Sequence, residues 1–158
     1  CLGKHKSKAM RVVIALGANL GEPRAQLEEA IEKLREVIVI EAISSFYETK
    51  PFKVSEEQPN YINAVLIGET KLEAEQLMKE LLDIEERLGR KRSTLNAARS
   101  IDLDIIDYQG MVINSENLTL PHPRAYEREF VLQPWLEIDP EAQLIGFGAV
   151  KELLAALI

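Results

Sequence analysis

Cysteine is nearly absent from this chain, and the lone Cys1 excludes both an internal disulfide and a cysteine-based metal centre. Histidine is almost as scarce. His5 falls in the polar, basic stretch Cys1 to Ala9, so His122 has no second histidine with which to build a zinc site. No apolar run approaches the roughly 20 residues of a membrane-spanning helix. The opening nine residues also lack the apolar centre of a signal peptide. Positive charge is in deficit: 19 Lys and Arg against 26 Asp and Glu leave a net charge of −7, which argues against broad binding to nucleic acid or to an anionic membrane. Any basic cluster must therefore serve a small anion. No dedicated phosphate loop is present either. Gly17-Ala18-Asn19-Leu20-Gly21 lacks the Gly-Lys-Ser/Thr ending of a P-loop and the third glycine of a dinucleotide fingerprint, and reads as a structural turn. No Ser–His–Asp or Cys–His order can be assembled. What remains is a 158-residue chain, 46% hydrophobic, with material for one real core. Residues 10–158 are expected to form a single domain, 1–9 a tag remnant or disordered arm, and the location is expected to be cytoplasmic.

Periodicity supplies the architecture. Val12 to Leu16 is a short continuous apolar run, suited to a strand buried on both faces. Pro23 fits the first turn of a helix, and Leu27, Ala30, Ile31 and Leu34 repeat at helical spacing, which predicts a helix over about 23–36. The β-branched and aromatic run Val39 to Tyr47 predicts a strand, as does Tyr61 to Glu69; between them Thr49 to Pro59 reads as a loop. Leu72, Leu77, Met78, Leu81, Leu82 and Leu88 predict a second amphipathic helix, ended by Gly89. After a loop over Arg90 to Ala98, an acidic strand spans 100–108, a short strand falls near Val112 and Ile113, and Phe130–Leu136 and Ala149–Leu157 are helical. Core packing is the expectation for Trp135. Strand–helix–strand–strand–helix–strand is the split βαβ order, so the fold expected is α+β and ferredoxin-like. It is an antiparallel sheet with both long helices on one face, plus short C-terminal helices. The other face would then be free for ligand.

The most informative stretch is Ile101-Asp102-Leu103-Asp104-Ile105-Ile106. Alternation along a strand sends Asp102 and Asp104 to one side and Ile101, Leu103 and Ile105 to the other. Their Cα atoms would lie about 6.6 Å apart at roughly 3.3 Å of rise per residue. Two ionised carboxylates at that range repel by about 2.5 kcal/mol at an effective dielectric near 20. A hard divalent cation such as Mg²⁺ removes that repulsion; a wet sheet face merely tolerates it. Arg90, Lys91, Arg92 and Arg99 lie just upstream, and His122, Arg124 and Arg128 just downstream. Carboxylates beside arginines that fork around phosphate oxygens suit a metal–polyphosphate ligand. Tyr61 and Asn63 share a face of their own strand, where ring and amide could read a flat heterocycle or simply pack.

Six segments in order carry a family resemblance. They are Ala15-Leu16-Gly17-Ala18-Asn19-Leu20-Gly21, Ser45-Phe46-Tyr47-Glu48-Thr49, Gln58-Pro59-Asn60-Tyr61-Ile62-Asn63-Ala64, Glu85-Glu86-Arg87-Leu88-Gly89-Arg90, Arg99-Ser100-Ile101-Asp102-Leu103-Asp104-Ile105 and Leu120-Pro121-His122-Pro123-Arg124. From about Arg11 to the C-terminus the chain resembles the 6-hydroxymethyl-7,8-dihydropterin pyrophosphokinases of folate biosynthesis. The resemblance implies the ferredoxin-like fold and transfer of the β,γ-diphosphate of ATP, the co-substrate, to the pterin hydroxymethyl, leaving AMP. It implies Asp102 and Asp104 as ligands of two Mg²⁺, with Arg90, Arg92 and Arg99 completing the catalytic set. Glu85, Arg92, Ile105, Leu118, Thr119, His122 and Arg128 match nucleotide positions. Thr49, Pro51, Phe52, Tyr61, Asn63 and Phe130 match the pterin pocket. A monomer acting on these two small molecules, with no nucleic-acid or membrane partner, is expected. The chain departs from the family's usual Trp-Gly-Pro-Arg-Thr at Asn96-Ala97-Ala98-Arg99-Ser100, from a common glycine at Lys53 and from a frequent basic residue at Asn117. A ligand-sensing module with a degenerate site, and a metal-dependent nucleotidyltransferase, are the alternative readings.

Overall fold

Val12, Ile14 and Leu16 point one way from the first strand and Val13 and Ala15 the other, and all five are buried. A strand with no wet face must lie mid-sheet. The computed structural model, which describes residues 8–50, 60–90 and 101–158, puts β1 (Met10–Ala18) there, between β4 (Tyr61–Thr70) and β5 (Asp102–Tyr108). β2 (Val39–Ile43) and β3 (Tyr47–Thr49) both pair with β4, so the sheet order is β2-β4-β1-β5 and every pairing is antiparallel. With α1 (Pro23–Leu34) and α2 (Ala74–Arg90) as the connections, this is the expected ferredoxin-like arrangement.

Leu27, Ile31 and Leu34 of α1 and Leu77, Leu81, Ile84 and Leu88 of α2 close over Ile14, Leu16, Leu66, Leu103 and Ile105 as one apolar cluster. Each such side chain, fully buried, contributes about 1.5–3 kcal/mol. Gly68 shows how closely the strands approach: a Cβ there would meet the Val39 carbonyl at 2.5 Å and Ile38 Cγ2 at 2.6 Å. Backbone cannot yield as a side-chain tip can. Gly68→Ala is therefore expected to cost about 2 kcal/mol of stability, measured by urea unfolding. A loss under about 0.5 kcal/mol would show that β2 is free to shift.

Several boundaries differ from the sequence reading; the acidic strand expected over 100–108, for one, begins at Asp102. β1 continues through Gly17 and Ala18, paired with Asn63 and Ile62, so the turn begins only at Asn19. α1 stops at Leu34 rather than 36. The expected strand 39–47 is interrupted at Ser44–Phe46. α2 runs on through Gly89 to Arg90, because a glycine stops a helix only where the next turn is not worth forming.

The second sheet face is not left free. α3 (Glu129–Ile138) and α4 (Val150–Leu157) lay Val131, Leu132, Trp135 and Val150 over Val13, Ala15, Val65, Ile67 and Ile106 in a second core. Trp135 thus packs as expected. Among the described residues that core covers Val13, Ala15, Val65, Ile67 and Ile106 but not the end of the face formed by the last residues of β1 and the first residues of β4 and β5.

Candidate active site

Pairing register decides which side chains share that open end. Asp102 pairs with Gly17, Gly17 with Asn63, and Asn63 with Tyr47. Directly paired residues lie on the same side of a sheet, so these four form one row. Asp104, Ala15 and Val65 form the next. Asp102 and Asp104 are both half-buried, on the face opposite Leu103 and Ile105. Their shared face is as the alternation predicts.

Asn63 is buried and donates Nδ2–H to Thr49 Oγ1 at 2.7 Å. Tyr61, the cross-strand partner of Thr49, is two residues along on the same face. Asn63 can lie flat only because Gly17 has no side chain: a Cβ there would be 2.8 Å from Asn63 Oδ1. Residue spacing did not mark Gly17 as anything but part of a turn.

Around the outer edge of β5 runs a cleft of about 300 Å³, lined by Met78, Leu81, Leu82 and Glu85 of α2, by Leu103, Asp104 and Ile105, and by Asn117, Leu118, Thr119, His122 and Pro123. Five positions matched to the nucleotide, Glu85, Ile105, Leu118, Thr119 and His122, thus share one cleft with Asp104. Met78 and Leu82 were read as part of the helix stripe. Leu82, half exposed, instead gives the cleft an apolar wall with Met78. The signal was an apolar stripe wider than the core needs.

Glu85 is buried, and its Oε2 accepts the Leu103 N–H at 2.7 Å. That N–H is on an edge strand and, among the described residues, has no neighbouring strand to receive it. The carboxylate so fixes β5 at the residue between the two aspartates. His122 is held by its own N–H on the Ile106 carbonyl at 3.1 Å, and its Nδ1 accepts the Arg124 N–H at 3.1 Å. Burial pulls the ring below the ordinary imidazole range; the Asp104 charge acts the other way, and Arg128 and Arg124 add to the lowering. The neutral ring with an accepting Nδ1 carries its proton on Nε2, as a donor. Arg128 lies over the exposed Phe130 ring, 5.6 Å from its centroid, at the start of α3.

Pro51, Phe52, Lys53, Arg92, Arg99 and the 96–100 segment lie outside the described residues, as does the side chain of Arg90. Among the described residues no three His, Cys, Asp or Glu gather as a metal cage. Two carboxylates on one strand face nevertheless suit Mg²⁺, which takes one or two protein carboxylates and completes its shell with waters and phosphate oxygens.

Fold and site together define a ferredoxin-like domain whose acidic sheet end adjoins a cleft along the β5 edge. Residues 13–140 match the family model of 7,8-dihydro-6-hydroxymethylpterin-pyrophosphokinase (HPPK), and the chain belongs to this family. It is 39% identical over 129 residues to the 2-amino-4-hydroxy-6-hydroxymethyldihydropteridine pyrophosphokinase of Aquifex aeolicus, covering 82% of this chain and 80% of that one. The Haemophilus influenzae protein of the same name is 38% identical over 143 residues, 89% of each chain. The folic acid synthesis protein fol1 of Pneumocystis carinii is 45% identical over 128 residues, which span 80% of this chain but 17% of that protein. In structure, the HPPK-DHPS protein of Plasmodium falciparum superposes with a TM-score of 0.79 at 14% identity, over 97% of this chain and 45% of that one, and supports the fold.

Proposed function

We propose that the chain transfers pyrophosphate from ATP to 6-hydroxymethyl-7,8-dihydropterin, giving AMP and the pterin diphosphate, as a step in folate biosynthesis. The supporting observation is one continuous surface: Asp102, Gly17 and Asn63 in a single row, with Asp104 beside them on the rim of the cleft.

The cleft takes the adenosine half, its base between the Met78–Leu82 wall and the 117–119 segment, so the phosphates turn around the β5 edge toward the acids. Asn63, oriented by Thr49, hydrogen-bonds the flat pterin, and Tyr61 and Phe130 supply aromatic surface. The pterin hydroxyl oxygen then approaches the β-phosphorus and gives its proton to the Asp102 carboxylate; a new O–P bond forms, and the bond to the α-phosphate oxygen breaks with AMP leaving. His122 donates from Nε2 to a phosphate oxygen, and Arg128 adds a fixed positive charge beside it. Arg90, Arg92 and Arg99 complete the charge compensation. Asp102 and Asp104 would hold magnesium, two ions in this reading, which neutralises phosphate charge when bound. With Glu85 locking β5, most of the catalysis is positioning. A cytoplasmic monomer belongs to the same reading.

The test mixes protein, Mg²⁺, ATP and the pterin and identifies the nucleotide product. Pterin-dependent AMP is expected. ADP, or nucleotide release indifferent to the pterin, would defeat the proposal. A sensing module predicts binding without turnover.

A further inference from the structure

The break between β2 and β3 carries more information than a strand defect. Ile43 pairs with Leu66 and Tyr47 with Asn63, so four steps along one strand oppose three along β4. One residue is therefore extra. Ser44 still donates its N–H to the Val65 carbonyl at 2.9 Å, and its Oγ accepts the Val65 N–H at 2.9 Å, standing in for a ladder carbonyl. Ser45 N–H points to no strand. It donates instead to both carboxylate oxygens of Glu137, near the end of α3, at 3.1 and 3.2 Å. The Ser45 hydroxyl donates to Oε2 at 2.8 Å, and the Tyr47 hydroxyl to Oε1 at 2.7 Å. One carboxylate thus receives three donor groups of the bulge, the Ser45 N–H, the Ser45 hydroxyl and the Tyr47 hydroxyl.

The consequence is a change of face. A one-residue slip inverts all later side chains of a strand. Without the extra residue, Phe46 would oppose Asn63 and Glu48 would oppose Tyr61. With it, Phe46 packs into the helix-side core, while Tyr47 and Thr49 come beside Asn63 and Tyr61. Thr49 is the residue that orients the Asn63 amide.

We propose that Glu137 is a positioning residue for the pterin half of the site: by clamping Ser45 and Tyr47 it fixes the register in which β3 offers Thr49 to Asn63. This rests on the pyrophosphokinase reading above. The protonation states agree. Burial first, then the bond to Glu137 and its charge, push the Tyr47 phenol up to about 12, so it remains a donor. Burial alone would raise the Glu137 carboxyl, but the bonds from Tyr47 and Ser45 outweigh it and hold the group below its ordinary range, ionised as an acceptor.

The test is Glu137→Ala in the full chain, with two readouts. In steady-state kinetics the pterin KM should rise about fivefold while the ATP KM and kcat stay within about twofold, a split that general loosening would not give. By NMR, Ser45 amide exchange should accelerate and the Tyr47–Asn63 cross-strand contacts should weaken, with β1–β5 contacts unchanged. If the alanine variant does not fold, Glu137→Gln keeps the shape, removes the charge and should move both readouts in the same direction by less. An unchanged pterin KM with unchanged Ser45 exchange overturns the clamp, as does an equal loss toward both substrates. Wild-type protein without pterin-dependent turnover defeats the substrate assignment instead. The NMR readout then still decides whether Glu137 holds the register.

Discussion

Asp104→Asn is expected to lower kcat at least about 100-fold, or roughly 2.7 kcal/mol of transition-state stabilisation, with little change in thermal stability. The asymmetry follows from where Asp104 sits. It is half-buried at the open end of the face, and the cores to either side close over Leu103, Ile105 and Ile106 instead. The substitution keeps volume and removes one negative charge, so the fold loses little. The polyphosphate loses much more: an amide oxygen is a poorer ligand for a hard cation, and Asp104 is the only carboxylate that lies both on the acidic face and on the cleft rim among the described residues. Melting temperature and kcat measured on the same preparation separate the two effects. Turnover within about threefold of wild type would mean that the acids only solvate the strand, since loss of a metal ligand in phosphoryl transfer costs far more.

Gly17→Ala is expected to raise the pterin KM about tenfold and to leave the ATP KM within about twofold. The added methyl would be 2.8 Å from Asn63 Oδ1, well inside contact distance. Asn63 is buried and tied to Thr49, so its amide cannot rotate aside without giving up that bond. A misplacement of about 1 Å at a substrate-orienting group can cost as much as 100-fold, and tenfold allows for partial relaxation. The cleft proposed for the nucleotide lies on the far side of β5 from Gly17 and should not register the change. Equal effects on both substrates would indicate a general distortion of β1 rather than a pterin-side role.

How far the sequence carried the reading depends on the range of the contact. Alternation is a local rule, and it put Asp102 and Asp104 on one face correctly. Helical spacing identified Leu77, Leu81 and Leu88 as core. It could not separate them from Leu82, which shares their chemistry but turns to the cleft. Asn63 and Tyr61 were visible as a pair, but the gap that Asn63 occupies is made by Gly17 on a neighbouring strand, and no spacing rule reports a missing Cβ across a sheet. The break at Ser44–Phe46 stayed hidden for the same reason. Val39 to Tyr47 has uninterrupted strand propensity, and the carboxylate that holds the bulge comes from 92 residues further along. The C-terminal helices were recognisable as helices, yet nothing in their periodicity said that Trp135 would pack onto the face expected to stay open. The resemblance proposes seven positions for the nucleotide, and five of them line a single cleft.

A crystal structure with Mg²⁺, a non-hydrolysable ATP analogue and the pterin would test the central claim most directly. It should show metal density touching both Asp102 and Asp104, the adenine between Leu82 and Leu118, and the pterin on Asn63 with its hydroxyl facing the β-phosphorus. Nucleotide bound elsewhere, or phosphates resting on the cleft with neither aspartate in contact with a metal, would contradict it.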